Sequence, residues 1–209
     1  MSHFTVGIIV PAEELSDLNS FIEQQLAPFD EAIKVAPYVS YTLEKAKQAL
    51  EREVRHLTRI IESRNPAYDL KRCQQALDEL QLLTPEDRYA EYLRGHTHFN
   101  AQGEPLSRYN PASKWDWYVI GGRWNGWLHD RDCKKSKPDD NVAMVEHVIA
   151  RDKIPFALVT PDGSWHQQGQ MGWWGAVIDG KETADWHAEA KAILQNYMDH
   201  SMVLVDAHI

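Results

Sequence analysis

The chain has 209 residues and a formal net charge of −9, with 43% hydrophobic and 25% charged residues. This is ordinary globular composition, and a chain of this length buries enough surface to need no disulfide staples. The acidic balance disfavours duplex nucleic acid as a partner, and no apolar run approaches the roughly 20 residues of a membrane span.

The two cysteines, Cys73 and Cys133, have no CxxC spacing, which argues against a disulfide framework or a cysteine zinc site. The opening MSHFTVGIIVPA lacks a basic segment and does not resemble a signal peptide, so we expect a cytoplasmic protein without membrane contact.

The first 40 residues predict a strand and a helix. HFTVGIIVP is rich in β-branched residues and ends at a proline, which is typical of a buried strand. Residues 12–26 follow with acidic residues in the first turn, which the helix dipole favours. Residues 28–40 hold two prolines and predict a loop with a short extended piece.

Residues 41–94 predict three helices. Apolar residues recur at three- and four-residue spacing over 41–63, Asn65-Pro66 interrupts the pattern, and a second helix follows over 68–83. Thr84 precedes a proline and two acidic residues, which indicates the start of a third helix that ends near Gly95. We interpret this stretch as a helical-hairpin insertion with a solvated outer surface.

The rest of the chain is richer in β-structure. A loop over 95–113 precedes the predicted strands, which are joined by turn signals such as Pro161-Asp162-Gly163. A short helix is expected over 141–150 and a last helix over 184–198, before the apolar ending SMVLVDAHI.

We therefore predict one α+β domain over 1–209, with 41–94 as a helical insertion or subdomain. The first and last strands should be neighbours in one mostly antiparallel central sheet. A ferredoxin-like arrangement would place helices 12–26 and 184–198 together on one face of that sheet.

The segment KWDWYVIGGRWNGW, residues 114–127, holds four of the eight tryptophans. A hairpin turn at Gly121-Gly122 would sort its side chains onto two faces, because side chains alternate along a strand. The predicted core face holds Trp115, Trp117, Val119, Trp124 and Leu128. The predicted polar face holds Asp116, Tyr118, Arg123, Asn125 and Trp127.

The polar face suggests a ligand site, with a planar ring stacked on Tyr118 or Trp127 and an anion paired with Arg123. This segment also lies in a net-positive stretch, since residues 95–139 carry 7 basic against 5 acidic residues. Two alternatives stay open: Asp116 and Arg123 simply pair on a solvated face, or the Gly-Gly amides approach a phosphate.

A second aromatic cluster, DGSWHQQGQMGWWG, contains His166, Gln168, Trp173 and Trp174. His166 is the histidine most suited to acid–base chemistry, because polar and aromatic residues surround it, although a structural role is an alternative. His96 and His98 have the spacing of a metal-binding pair on a strand, and Asp206 and His208 share that parity. No HExxH motif accompanies them, so we assign no metal and no identified cofactor.

Several motifs resemble a family of uncharacterised proteins from bacteriophage and some bacterial genomes. They are MSHFTV, QLAPFDE, PYVSYT, NPASKWDWYVIGGRWNGW, ALVTPDGSWHQQGQMGWWG and VDAHI. The resemblance covers both ends and the middle of the chain, while 41–94 looks variable. It implies a phage or mobile-element setting, in which small acidic proteins often counter host defence, but it implies no activity and no catalytic residue.

Three functional hypotheses follow. The first is a binder of a small anionic, nucleotide-like ligand, held by Tyr118, Arg123, Asn125, Trp127, Gln168 and Trp174. The second is a hydrolase or transferase that uses the same cleft, with His166 as acid or base and Asp116 assisting. The third is an acidic protein-interaction module that blocks a host protein.

Overall fold

The computed structural model describes residues 2–171 and 177–209, and the chain divides into two compact units. The sheet unit comprises the residues up to 34 and from 109 onward, and the helical unit comprises residues 35–108. The predicted helical insertion, residues 41–94, lies inside the helical unit.

The described strands are, in chain order, β1 (His3–Val10), β2 (Lys34–Val39), β3 (Leu106–Tyr109), β4 (Trp117–Ile120), β5 (Val142–Met144), β6 (Ala157–Val159), β7 (Trp165–Gln167), β8 (Gln170–Met171), β9 (Val177–Ile178) and β10 (Ser201–His208). The described α-helices are α1 (Leu18–Leu26), α2 (Leu43–Ser63), α3 (Leu70–Gln81), α4 (Pro85–Arg94), α5 (Val145–Ala150) and α6 (Thr183–Leu194).

The main sheet contains six of the described strands. Five of them follow the order β4-β10-β1-β6-β7, and the sixth, β5, pairs with residues 201–203 of β10 on the same edge as β4. The first and last strands are antiparallel neighbours over their full length, from His3 opposite His208 to Val10 opposite Ser201. Only β1 and β6 run parallel among these pairs. The predicted α+β class and the mostly antiparallel central sheet are therefore confirmed.

Each face of the sheet is covered by a different helix. Alternate residues of β1, such as Val6 and Ile8, pack with Phe21 and Ile22 of α1. Ile9 instead packs with residues of α6, which include Trp186. We call these the α1 face and the α6 face.

The placement of both helices on one face was therefore wrong. The strand order also differs from a ferredoxin-like sheet, in which a further strand separates the parallel pair, because β1 and β6 are direct neighbours. Both strands are buried on both faces, so each face of the sheet needs its own helix to cover it.

The helical unit forms as its local sequence predicts. Thr42 caps α2 by accepting from the Lys45 amide, and Asp69 caps α3 in the same way. At α4, Thr84 and Asp87 form a reciprocal capping box, and Pro85 is the first residue of the helix. Both α3 and α4 pack on α2, and β2 pairs with β3 in a small separate sheet.

None of the helices within the described ranges is long and apolar enough to cross a membrane.

Candidate functional site

The Trp-rich segment does not form the predicted hairpin. After β4 the chain turns at Gly121 and coils into a 3-10 turn over Gly122–Trp124, in which the Trp124 amide donates to the Gly121 carbonyl at 3.0 Å. β4 pairs with β10 instead, with Ile120 opposite Val205. The hairpin was wrong because a long, buried strand from the far end of the chain pairs with β4 in place of its own continuation.

The predicted core face is consequently only half buried. Trp115 is buried, and its indole N–H donates to the Leu26 carbonyl at 3.1 Å. Leu128 is also buried. Trp117 and Val119, however, are each 44% exposed, because they lie on the α6 face of a short strand at the sheet edge.

The predicted polar face is divided between the two sides of the sheet. Tyr118 meets Trp115 edge-on at 5.0 Å on the α1 face, and burial, with the nearby Glu23 carboxylate, raises the pKa of its phenol. Trp127 packs against the core of the α6 face, with the Lys153 ammonium 5.2 Å from its ring centre. These two rings cannot hold one ligand between them.

Two glycines allow the turn to press against polar side chains. Gly122 has a φ of 53°, and a Cβ there would lie 2.4 Å from Oδ2 of Asp206. Gly126 has a φ of 80°, and its Cβ would lie 1.9 Å from Oγ of Ser136. No larger residue fits either position, since both the backbone angle and the space require glycine.

Asn125 and Asn141 connect this turn to the following loop. The Asn125 amide donates to the carbonyls of Cys133 and Ser136, and its oxygen accepts from Asn141 at 2.6 Å. Asn141 in turn accepts from the Gly126 amide at 3.1 Å. The predicted ligand residue Asn125 thus uses its polar atoms to hold the loop together.

A carboxylate–imidazole cluster lies beside the turn on the α6 face, formed by His3, Asp116, Asp206 and His208. Nδ1 of His3 is 2.8 Å from Oδ1 of Asp206, and Nδ1 of His208 is 2.6 Å from Oδ1 of Asp116. The two imidazole rings meet edge-to-face at 4.9 Å. Each carboxylate fixes the orientation of its imidazole, as in acid–base sites.

The two imidazoles of this cluster are shielded from solvent, whereas the Asp116 side chain is 31% exposed. Trp117 stacks on the His208 ring at 5.2 Å, and Nε2 of His208 is buried with no hydrogen-bond partner among the described residues. A substrate atom has no space between two rings in edge-to-face contact. The arrangement therefore orders the end of the sheet and leaves no open acid–base group at His208.

A cavity of about 550 Å³ lies on the other side of the same turn. Leu18, Ile120 and Val142 contribute apolar surface to it. Asn19, Ser136 and Asp139 contribute polar groups. We call it the turn cavity, because Gly122 and Asn125 form part of its wall.

The loop that closes the turn cavity carries a concentration of positive charge. Within residues 131–137, Arg131 is paired with Asp140. Lys134 and Lys137 have no ion pair among the described residues, and the exposed side chain of Arg123 likewise has none. Each of these three cations adjoins a lining residue in sequence, and the charged residue of the lining itself is Asp139.

The remaining predicted residues lie elsewhere. His166 is on β7 and Asp116 precedes β4, at opposite edges of the sheet and about four strand spacings, or roughly 19 Å, apart. The two cannot act on one bond, and Asp116 pairs with His208 instead. The Gln168 amide donates to the Lys181 carbonyl at 3.3 Å, and Trp174 lies outside the described residues.

Sequence reasoning missed the pairing of His3 with Asp206. The sequence signal for this pairing was the alternation that places Asp206 and His208 on one face of the last strand. We interpreted that spacing as one that metal ligands can have. His96 lies in a loop and contacts the Leu106 carbonyl. The described residues contain no group of three His, Cys, Asp or Glu side chains that would hold a metal ion.

No family model, curated protein or solved structure matches the chain. The resemblance to uncharacterised phage proteins stays a prediction.

Proposed function

We propose that the sheet unit binds a small anionic, nucleotide-like ligand in the turn cavity. The observation that carries this proposal is a cavity of about 550 Å³ whose lining residues Gly122, Cys133 and Ser136 are each followed in sequence by a cation without an ion pair among the described residues. Cavities of roughly 300–1,000 Å³ with an apolar lining and a few polar groups are typical of small-molecule sites.

The composition of the wall supports a ligand with a planar apolar part. Leu18, Ile120 and Val142 offer apolar surface, and the neighbouring Asn19 and Ser136 offer hydrogen-bonding groups. The Asn19 side chain has no hydrogen bond among the described residues, so it is available to a ligand. An aromatic base with polar edges matches this mixture.

Arg123 is the residue to which we assign recognition of the anion. It follows the cavity residue Gly122, its backbone is held by Asp206, and its guanidinium is exposed. A guanidinium matches the geometry of a phosphate and stays charged at every physiological pH. Lys134 and Lys137 adjoin the lining residues Cys133 and Ser136 in sequence and supply further positive charge near the cavity, against one carboxylate, Asp139, in its lining.

Binding without turnover is favoured over catalysis. The proposed acid–base pair, His166 and Asp116, is separated across the sheet, and the ordered imidazole of His208 is closed. In the phage setting that the sequence motifs suggest, a protein that captures a nucleotide signal would counter host defence. We propose this role on the motifs and the cavity together.

The first test is mass spectrometry of the small molecules released when the purified protein is denatured. We expect a phosphate-bearing compound near one equivalent from the native chain and its loss from Arg123→Ala. The matched control is Arg59→Ala, which removes an exposed arginine from α2 in the helical unit. Equal recovery from both variants would contradict the assignment of Arg123.

Titration then distinguishes the parts of the ligand, with tryptophan fluorescence as the signal. AMP should bind more tightly than inorganic phosphate or adenosine, because only AMP combines a base with an anion. Loss of one charge-assisted contact in Arg123→Ala should weaken AMP binding by roughly 10- to 100-fold. An empty protein that binds none of the three probes would overturn the proposal.

A further inference from the structure

Few side chains of the helical unit are fully buried, and most of its large apolar side chains are partly buried. Within residues 35–108, all of which are described, the buried hydrophobic side chains are Ala46 and Leu77. Leu83, between α3 and α4, is 37% exposed. An amphipathic helix is stabilised mainly by packing of its apolar face, so apolar side chains left partly exposed between helices offer surface to a partner.

The uncovered surface has the shape of a groove. Both α3 and α4 pack on α2, and a cavity of about 750 Å³ lies among the three helices. Leu57 of α2, Leu80 of α3 and Leu83 of the α3–α4 connection contribute its apolar lining. We call it the helix groove.

The charges along the helix groove are predominantly acidic. Its lining includes Glu53, Glu79, Asp87 and Glu91 against two arginines, Arg88 and Arg94. Arg88 is already held by Glu53 and Glu91, and Asp87 serves the cap of α4. Glu79 and Arg94 have no ion pair among the described residues, and the lining as a whole keeps two more carboxylates than arginines beside its leucines.

We propose that the helix groove binds an amphipathic helix of a partner protein, with lysines or arginines flanking an apolar stripe. The 12-residue α3 is about 18 Å long, enough to accompany three turns of a bound helix. Leucines at helical spacing would pack on the groove floor, and the flanking cations would meet its carboxylates. This inference is independent of the ligand proposed for the turn cavity.

A second copy of the chain fits less well. The groove lining carries four carboxylates against two arginines, so two copies that met groove to groove would bring like charges together. Complementary charge therefore favours a basic partner.

The test uses the full chain and two labelled helical peptides of about 14 residues with identical leucine stripes. One carries lysine at every polar position and the other carries glutamate. Fluorescence anisotropy should show the leucine–lysine peptide binding at least roughly tenfold more tightly. Equal affinity for the two peptides, or binding of neither, would overturn the proposal.

An acidic chain attracts any cationic peptide. Each variant inside the groove is therefore compared with one outside it, to show whether the peptide binds in the groove. Leu83→Asp lies in the groove and should weaken binding roughly tenfold, whereas the adjacent Leu82→Asp lies outside its lining and should have little effect. Glu79→Lys should weaken binding about three- to tenfold, and Glu86→Lys on the exposed side of α4 should not.

Circular dichroism confirms that each variant keeps its helices, and Glu79→Lys, an exposed position, keeps the test valid if Leu83→Asp unfolds the unit. Equal losses in the groove and control variants would show non-specific attraction and overturn the proposal. A dimer in analytical ultracentrifugation that Leu83→Asp dissociates would also overturn it, because the occupant would then be a second copy.

Discussion

Asp206 joins His3 on the neighbouring strand to the turn that follows β4. Its Oδ1 lies 2.8 Å from Nδ1 of His3, and its Oδ2 accepts from the Arg123 amide at 3.0 Å. The side chain of Asp206 is 2% exposed, so these two contacts replace water around a buried carboxylate. One carboxylate therefore orders both the first strand and the backbone of the residue that we assign to anion recognition.

Asp206→Ala should destabilise the fold by about 3 kcal/mol, because it removes hydrogen bonds to a charged acceptor and leaves the His3 ring and the Arg123 amide without a partner. Urea denaturation measures this change in the free energy of unfolding. The control is Asp17→Ala, whose exposed side chain makes no capping bond and should change stability by less than about 0.5 kcal/mol. A cost at Asp206 as small as that at Asp17 would contradict the anchoring role.

Gly122→Ala tests the close approach of the turn to Asp206. A methyl group there meets both an unfavourable backbone angle and the carboxylate, so we expect a loss of more than about 3 kcal/mol. Gly103→Ala separates the two causes, because Gly103 has a φ of 78° with nothing within 4 Å of its Cβ position. That control should cost about 1 kcal/mol in thermal or chemical denaturation. Equal costs would show that the contact with Asp206 contributes nothing.

The two tryptophans on either side of Asp116, Trp115 and Trp117, should differ in how much each contributes to the free energy of unfolding. Trp115→Ala removes a buried indole and its hydrogen bond, and it should cost about 3–5 kcal/mol. Trp117→Ala removes an exposed ring that stacks on His208, and it should cost about 1 kcal/mol. Chemical denaturation measures both, and acrylamide should quench the emission of Trp117 more strongly. The predicted hairpin, which buried both rings, would instead give similar large losses.

The turn between β6 and β7 predicts a pH dependence. Hydrogen bonds from the Thr160 hydroxyl, and then from the amide and hydroxyl of Ser164, lower the pKa of the Asp162 carboxyl. A lowered folded-state pKa means that this stabilisation is fully present above the unfolded value of about 3.9 and is lost as the pH falls through the folded value.

The stability difference between the native chain and Asp162→Asn should therefore be larger at pH 7 than near pH 3. Urea denaturation of both proteins at each pH measures that difference, and the comparison cancels the titration of the other carboxylates. A difference that stays constant between the two pH values would contradict the assigned hydrogen bonds.

Much of the local structure was predictable because its causes are local. The Thr84-Pro85-Glu86-Asp87 sequence contains its own cap, and α4 begins there. The apolar spacing of 43–63 produces α2 without reference to the rest of the chain. The turn at Pro161-Asp162-Gly163 lies between antiparallel strands as predicted.

The candidate site was much less predictable. Alternation within residues 117–120 correctly separates Trp117 from Tyr118, but it does not extend to Trp115, which packs with Tyr118, and it does not show which side faces a core. The partner strand β10 decides which side of β4 faces a core. Because β4 pairs with the edge of β10 opposite β1, Trp117 is exposed and Tyr118 faces α1. The cavity depends on the same choice, since it forms only where the Gly122 turn meets the loop after Cys133.

The sequence by itself determined the helices of the helical unit, the buried first and last strands and the α+β class, because short-range periodicity and capping are sufficient for these. Only the tertiary structure decided the partner of β4, the closure of the His3–Asp206 contact and the separation of His166 from Asp116. The Asp206 carboxylate and the Arg123 amide are 83 residues apart in the chain. Contacts at that separation depend on strand order and register, for which no local pattern of residues carries a signal.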